Sequence, residues 1–156
     1  MPLKGEYEPS PADWVAKQVE LYERTDGAEG GTLQGRPVVI LTTTGAKSGK
    51  IRKTPLMRIT DGTRYAVVAS QGGAPTNPFW FHNIMADPHV SLQDGAVVRD
   101  YIARRVEGVE RETWWAMAVE TWPDYDEYRK RTDRDIPVFV LEPLLLTVDG
   151  STDDSG

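Results

Sequence analysis

The residues of this chain that are best suited to chemistry form a short basic segment at 43–54. The segment holds four cations and no acid, in a chain of 156 residues whose net charge is −6. Two glycines and a serine allow the backbone to turn tightly and to present its N–H groups, and Arg can hold an oxyanion through two parallel hydrogen bonds. The segment predicts a phosphate or carboxylate site, and a solvated hairpin tip is the alternative. The cations are Lys47, Lys50, Arg52 and Lys53.

The same segment does not match a nucleotide P-loop. That motif requires Gly immediately before Lys-Ser and another Gly five residues earlier. Ala46 and Leu41 occupy these positions, and the residues from Ile51 onward have an extended rather than a helical pattern. Phosphate binding of the P-loop kind is therefore not expected.

A second candidate site lies where a predicted strand ends in small residues, at 67–73. Ser70 and Gln71 precede two glycines there. A strand end of this composition lets a flat ligand lie against the backbone, with N–H groups directed at its edge. An ordinary turn from strand to loop is the alternative.

Two groups of aromatic residues complete the set of candidates. Tyr125 and Tyr128 follow Trp122 at a spacing of three, which places them on one helical face among charged neighbours. Tyrosines in that setting can line a pocket mouth and donate hydrogen bonds to a substrate. The cluster at 79–81 is more typical of a core.

The composition excludes several kinds of site. The chain has no cysteine, which excludes disulfides, thiolate nucleophiles, zinc ribbons and iron–sulfur clusters. His82 and His89 are its only histidines, and no carboxylate pattern near them predicts a metal site. The negative net charge argues against nucleic-acid binding.

Hydrophobic periodicity and turn residues predict the elements that position these groups. A helix starts near Ser10, a later helix offers Val109 and Trp115 for burial, and hairpin turns fall at Asp61-Gly62 and Asp94-Gly95. Strands are predicted at 37–44, 51–60, 64–70, 89–92, 97–106 and 136–146, with further helices at 79–86, 107–120 and 124–131. Hairpins dominate and βαβ alternation is absent, so the pattern predicts an α+β fold in which an antiparallel sheet closes into a small barrel with helices outside.

The predicted domain occupies residues 10–146, between a flexible arm at 1–9 and a disordered tail at 147–156. No apolar run approaches the roughly 20 residues that span a bilayer, and the first residues lack the apolar region of a signal peptide. We therefore expect a cytoplasmic protein.

Four ordered segments resemble the deazaflavin-dependent nitroreductase family of actinobacteria. They are LTTTGAKSGKIRKTPL at 41–56, VVASQGGAPTNPFWFHN at 67–83, ADPHV at 86–90, and WPDYDEY followed by TDRDIPV within 122–138. The resemblance covers roughly residues 10–145. It implies a split β-barrel like that of oxidoreductases that bind flavin mononucleotide. It also implies coenzyme F420 as the cofactor, an 8-hydroxy-5-deazaflavin with a phospholactyl-polyglutamate tail, and hydride transfer to a quinone or a nitroaromatic acceptor.

The resemblance also implies roles for individual residues, assigned by position. The cofactor phosphate would be held by Lys47, Ser48, Gly49, Lys50 and Arg52, with Lys53 and Thr54 extending that wall. The ring would lie along Ala69, Ser70 and Gln71, with Trp80 at its border. Trp122, Tyr125 and Tyr128 would line the substrate pocket, and Ser70, Tyr125 and Tyr128 would donate hydrogen bonds to the acceptor. The family usually has Lys where this chain has Gln71, and often Tyr where it has Trp122.

The sequence is compatible with other functions. The same barrel could use flavin mononucleotide, although the basic turn favours a more anionic tail. A carrier that binds the deazaflavin without oxidising it would have the same cofactor residues. A single-strand nucleic-acid module is disfavoured by the acidic balance. Quinone reduction would bring the protein to the inner membrane surface as a peripheral contact, and both a monomer and a homodimer fit the sequence.

Overall fold

The computed structural model describes Leu3, residues 5–74 and residues 76–144. Its helices are α1 (Asp13–Thr25), α2 (Phe79–Ala86), α3 (Gly108–Thr121) and α4 (Asp124–Arg131), and a 3-10 turn covers Gln71–Gly73. Its strands are β1 (Thr32–Leu33), β2 (Arg36–Thr44), β3 (Ile51–Met57), β4 (Tyr65–Val68), β5 (His89–Asp94), β6 (Val97–Arg105) and β7 (Val138–Pro143). None of the helices in these ranges is both long enough and apolar enough to cross a bilayer.

The strands form one antiparallel sheet that curls towards closure. Its order is β3-β2-β5-β6-β7-β4, and the short strand β1 pairs with the start of β2. The two end strands meet where β3 runs on into β4. Thr60 bridges to Tyr65, and the Ala66 amide donates to the Ile59 carbonyl at 2.9 Å. The antiparallel barrel with outer helices that the sequence predicts is therefore confirmed.

Alternation along the strands produces two cores, because neighbouring residues point to opposite faces of a sheet. Val39 and Leu41 of β2 belong to a barrel core, whereas Val38 and Ile40 belong to an outer core. The barrel core also contains Val67, Phe139 and Leu141 with Trp80 and Ile84 of α2. The outer core also contains Val68, Val138 and Val140 with Tyr22, Trp114, Trp115 and Tyr125 from α1, α3 and α4. Burial on both faces explains why these strands read as continuous apolar runs.

Turn residues fix the hairpins at the predicted places. Gly95 has a φ of +63° in the two-residue connection between β5 and β6, a conformation that favours glycine. Asp61 accepts hydrogen bonds from the amides of Thr63 and Arg64, which stabilises the turn between β3 and β4. These local bonds set the register that carries the apolar residues into the two cores.

Several predicted element details differ from the structure. β3 ends at Met57 rather than at residue 60, and β7 begins at Val138, just after Pro137, which has no N–H to donate to a neighbouring strand. Val109 was predicted to be buried and is 85% exposed, whereas Trp114, five residues later in α3, is buried. The prediction for Val109 is wrong because it lies at the start of α3, outside the face that packs on the sheet.

The N-terminal segment contacts the edge of β3. The Ile51 amide donates to the Glu6 carbonyl at 2.8 Å, and the Glu8 amide donates to the Ile51 carbonyl at 2.9 Å. The flexible arm at 1–9 remains a prediction, but residues 6–8 are hydrogen bonded to the strand that follows the basic segment. The predicted tail at 147–156 lies outside the described residues.

Candidate functional site

A cavity of about 410 Å³ opens between α1, β3, the end of β4 and α4. Six of the residues that the sequence assigns to the site line it, namely Thr54, Ser70, Gln71, Trp122, Tyr125 and Tyr128. The other lining residues are Trp14, Val15, Leu33, Gln34, Pro55, Leu56, Met57 and Val68. Most of these are apolar, so the cavity has a hydrophobic wall and a small number of hydroxyl and amide groups, as small-molecule sites commonly do.

Ser70 and Gln71 form one edge of the cavity at the point where β4 ends. Ser70 is buried, and its carbonyl accepts the amide of Gly73 at 2.9 Å within the 3-10 turn. Gln71 has a φ of +46°, a left-handed conformation that is uncommon for a residue with a side chain. Strained backbone of this kind often occurs at functional sites, where the surrounding structure holds it in place.

Tyr125 and Tyr128 of α4 line the cavity beside each other. Their ring centroids lie 6.0 Å apart in an edge-to-face arrangement, and Tyr125 also packs at 6.2 Å from Trp115. Burial raises the pKa of Tyr125 well above its ordinary value, with a smaller contribution from Tyr128. The Tyr125 phenol therefore stays neutral over the working pH range and can act as a hydrogen-bond donor.

Trp122 contacts Tyr128 through a hydrogen bond that the sequence did not predict. The indole Nε1–H of Trp122 donates to the hydroxyl oxygen of Tyr128 at 3.1 Å. A phenol that accepts this bond keeps its own hydrogen for another acceptor. Trp122 thus brings no hydroxyl to the cavity, and its indole directs the hydroxyl of Tyr128.

The basic segment forms a tight turn between β2 and β3. The Gly45 amide donates to the Lys50 carbonyl at 2.8 Å, and the Gly49 amide donates to the Gly45 carbonyl at 3.0 Å. Among the described residues, nothing accepts a hydrogen bond from the amides of Lys47 and Ser48. Two unpaired N–H groups between lysines are suited to bind an oxyanion.

Asn83 of α2 holds this turn from below. Its Oδ1 accepts the Ala46 amide at 2.9 Å, and its Nδ2 donates to the Thr43 hydroxyl at 3.1 Å. Asn83 is buried and serves both partners, so it fixes the turn relative to the barrel. Sequence reasoning assigned it no role, although it closes the second family-like segment.

The four cations of the segment differ in their surroundings. Lys47 and Lys50 have no acidic partner among the described residues, whereas Arg52 lies 3.6 Å from Glu8 and Lys53 pairs with Glu23 of α1. Arg52 also lies over the ring of Phe79 at 4.8 Å, and Lys53 is near the ring of Tyr7. Acids from the N-terminal part of the chain thus compete for two of the predicted anion-binding groups.

β3 connects the basic turn with the cavity. It leaves the turn at Ile51 and supplies Thr54 to Met57 to the cavity wall. An extended chain rises about 10 Å over the three steps from Ile51 to Thr54. The basic turn and the apolar cavity are therefore joined by one strand and lie about 10 Å apart along it.

Ala69 and Trp80 are buried and do not line the cavity. Ala69 is fully buried, and Trp80 is 3% exposed and packs against Phe139 in the barrel core with ring centroids 6.4 Å apart. Both residues belong to the barrel core. The turn contains Lys47, Ser48, Gly49 and Lys50. Arg52 and Lys53 follow on β3, between the turn and the cavity.

Arg134 is the main residue near the site that sequence reasoning missed. Its guanidinium donates to the carbonyl of Ser70 and to that of Ala74, and to the side chain of Asn77. Only its position within the TDRDIPV segment marks it in the sequence, since a single Arg in a charged stretch gives no other signal.

No group of His, Asp or Glu residues in the described ranges is arranged to hold a metal ion. The site thus offers a basic turn, an apolar cavity and four hydroxyl groups, those of Thr54, Ser70, Tyr125 and Tyr128. These features, on a curled antiparallel barrel, define the class of small split-barrel proteins that hold a flavin-like cofactor beside the sheet.

Comparison with known proteins places the chain more closely. The family model described as F420H(2)-dependent quinone reductase matches residues 14–143. A Mycobacterium tuberculosis protein named F420H(2)-dependent quinone reductase is 36% identical over 125 residues, which cover 78% of this chain and 84% of that protein. The chain belongs to the F420H(2)-dependent quinone reductase family, a family of oxidoreductases.

Solved structures agree with this placement. An F420-H2 dependent reductase is 56% identical, with a TM-score of 0.65 over 69% of this chain and 95% of the other. A structure described as a domain-swapped dimer is 52% identical, with a TM-score of 0.68 over 85% of this chain and all of the other. The heme storage protein HutZ from Vibrio cholerae, at 19% identity and a TM-score of 0.55, shares the fold alone.

Proposed function

We propose that this chain binds reduced coenzyme F420 and uses it to reduce a quinone. The observation that carries the proposal is that β3 connects a turn with two unpaired amides to a cavity lined by Ser70, Tyr125 and Tyr128. Family membership supports the same cofactor and acceptor. The bound deazaflavin would supply a hydride.

The residues present fit the proposed cofactor. The amides of Lys47 and Ser48, together with Lys50 and Arg52, would hold its phosphate, and the unpaired lysines suit a polyanionic tail. The backbone edge at Ser70 and Gln71 would border the ring, and Thr54 would lie along the connecting wall. Flavin mononucleotide, the second cofactor that the fold allows, would leave the remaining positive charge of the turn without a partner.

The acceptor would lie in the cavity against the apolar wall formed by Leu33, Met57 and Val68. These side chains exclude water and hold a flat ring close to the cofactor, so that proximity supplies much of the rate enhancement. Ser70, Tyr125 and Tyr128 would donate hydrogen bonds to the acceptor oxygen on which negative charge develops. A nitroaromatic group offers oxygens of the same kind, and we propose it as a second class of acceptor.

A lipid-soluble quinone would be taken from a membrane surface. Trp14 supports peripheral contact with the inner membrane, because it lines the cavity and its side chain is 58% exposed. Sedimentation with anionic vesicles tests this contact, and Trp14→Ala should reduce the bound fraction. Light scattering on the purified protein decides between a cytoplasmic monomer and a homodimer.

The central experiment mixes the protein anaerobically with reduced F420 and a menaquinone analogue and follows the absorbance of the oxidised deazaflavin. We expect oxidation only when both protein and quinone are present. Arg52→Ala should weaken deazaflavin binding about tenfold or more because it removes a charged hydrogen-bond donor. Arg99→Ala, which removes an exposed cation on β6, is the matched control and should leave the affinity unchanged.

Two outcomes would contradict the proposal. Tight binding without oxidation over a panel of quinones and nitroaromatics would identify a deazaflavin carrier. Unchanged affinity in Arg52→Ala would show that the cofactor phosphate is not held by the basic segment as proposed.

A further inference from the structure

Arg134 lies just after α4, and all three of its hydrogen bonds go to one loop. Its Nε donates to the Ala74 carbonyl at 2.9 Å, its Nη1 to Asn77 Oδ1 at 2.6 Å, and its Nη2 to the Ser70 carbonyl at 2.8 Å. The loop joins β4 to α2, some sixty residues earlier in the chain. One guanidinium thus ties both ends of the described part of this loop to a single point.

The partners of Arg134 are all neutral. Among the described residues no carboxylate lies within ion-pair distance of it, although Asp133 and Asp135 flank it in the chain. A surface Arg placed for solubility or for an ion pair would have an acidic partner or full exposure. Arg134 is half-buried, and all three hydrogen bonds of its guanidinium go to oxygens of the loop, so the side chain is arranged to hold the loop in place.

The backbone of this loop has an uncommon conformation that its surroundings must stabilise. Gln71 has a φ of +46° and Gly73 a φ of +83°, both in the left-handed region. A Cβ on Gly73 would lie 3.1 Å from the Cα and the carbonyl oxygen of Tyr128, so the turn packs directly on the backbone of α4. The position of the loop therefore determines the relation between the Ser70 edge of the cavity and the Tyr128 edge.

We propose that Arg134 is a positioning residue that clamps the loop and thereby sets the distance between the cofactor edge at Ser70 and Gln71 and the acceptor side at Tyr128. The inference rests on the proposed function of this cavity. It requires a guanidinium rather than any cation, because the three acceptors lie in different directions and match the donors of a planar fork. Lysine offers its donors from a single atom and cannot reach all three.

The first test needs no cofactor. Hydrogen exchange of the Gly73 and Ala74 amides reports the loop, since these amides donate to Ser70 and Gln71 within it. Arg134→Ala should speed their exchange roughly tenfold to hundredfold, as expected for the loss of charged hydrogen bonds, while amides in β2 and β5 keep their rates. Arg134→Lys should give an intermediate rate, Arg99→Ala should match the wild type, and guanidinium ion at low millimolar concentration should restore protection in Arg134→Ala.

The second test measures the site. In Arg134→Ala the KM for reduced F420 should rise and kcat should fall, each about tenfold or more, because the loop carries the cofactor edge and sets its distance from the acceptor. The KM for the quinone analogue should stay within about twofold, and guanidinium should reverse both changes. Exchange that rises equally throughout the sheet, or loop exchange that rises while the F420 parameters stay constant, would overturn the proposal. Absence of F420 binding by the wild type would refute the proposed function, and loop exchange that is unchanged in Arg134→Ala would refute the clamp itself.

Discussion

Among the cavity residues, Tyr128 has a hydroxyl group that is directed by a neighbouring side chain. The indole of Trp122 occupies one lone pair of its oxygen at 3.1 Å, which leaves the hydroxyl hydrogen for another partner. Tyr125, by contrast, is buried with its ring edge-to-face on that of Tyr128, and among the described residues its hydroxyl has no hydrogen-bond partner. We therefore expect the two phenols to contribute unequally to acceptor reduction.

Tyr128→Phe should lower kcat for a quinone about tenfold to hundredfold and leave the Kd for F420 unchanged, because the lost donor serves the acceptor as charge develops. Trp122→Phe should produce a smaller loss, since the hydroxyl remains but its direction is free. Stopped-flow measurement of single-turnover oxidation separates this step from binding. Tyr101→Phe, which alters a tyrosine in the barrel core, is the control. An unchanged kcat in Tyr128→Phe would assign proton and hydrogen-bond donation to Ser70 or Tyr125.

Gly73 is constrained both by its own backbone and by close approach to α4. Gly73→Ala should reduce the free energy of unfolding by about 1–2 kcal/mol for the left-handed backbone, and further for the 3.1 Å contact with Tyr128. Gly35→Ala separates the two causes, because Gly35 has a φ of +78° and no atom within 4 Å of the added Cβ. Urea denaturation of both variants measures the difference. Equal losses would mean that α4 moves aside without cost.

At the scale of elements, sequence patterns predicted the local structure well and the long-range contacts poorly. Helices α2 and α4 have the predicted bounds, and both hairpin turns fall at the predicted Asp-Gly pairs. These features depend on residues close in sequence. The two-residue strand β1 was not predicted, because a pairing of that length leaves almost no periodic signal.

The candidate site could be predicted in composition but not in arrangement. The resemblance assigned Ser70, Tyr125 and Tyr128 to one site, and the structure brings them to one cavity. The roles of Asn83, Arg134 and Glu23 depend on contacts across 30 residues or more, which no local pattern encodes. Trp80 lies in the barrel core, and its predicted place at the border of the cofactor stays a prediction.

Two carboxylates, Glu8 of the N-terminal segment and Glu23 of α1, lie beside cations of the basic segment. Glu8 lies 3.6 Å from Arg52, and Glu23 forms an ion pair with Lys53. A phosphate or polyglutamate tail that binds these two cations would have to compete with the carboxylates. The double variant Glu8→Gln, Glu23→Gln should therefore lower the Kd for F420 about threefold to tenfold at low salt, and less at high salt, because exposed charges are screened. Fluorescence titration at two ionic strengths measures both effects. Glu20→Gln, which removes a carboxylate from an exposed pair on the same helix, should change neither. A weakened affinity in the double variant would show instead that the acids orient the two cations.

At the scale of the whole molecule, the barrel closes where Ile59 and Thr60, just after β3, pair with the start of β4. A polar cluster stabilises this junction. Tyr65 donates to the carboxylate of Asp94, and Asp94 also accepts from Arg58 at 2.9 Å. The cluster ties the junction to the hairpin between β5 and β6. Strand order of this kind, in which β2 lies beside both β3 and β5, follows from the packing of the two cores and could not be read from the sequence.

Tyrosine ionisation should make the whole fold sensitive to alkali. Of the six tyrosines, five have a pKa raised by burial, and burial and the hydrogen bond to Asp94 raise the pKa of Tyr65 to about 12. Below a pH of about 10 these phenols are neutral in both the folded and the unfolded chain, so they do not change stability with pH. Above it the unfolded chain releases protons that the folded chain retains, and the free energy of unfolding must fall as the pH rises through the window from about 10 to about 12. Urea midpoints measured at intervals from about pH 9 to 11.5, with tyrosinate absorbance followed in parallel, give the slope. Tyr65→Phe removes one titrating group and should make the decline shallower, although it also costs the bond to Asp94 at every pH. A midpoint that stays constant over this range would mean that the tyrosines ionise freely in the folded protein, and that the junction at Tyr65 opens before the barrel unfolds.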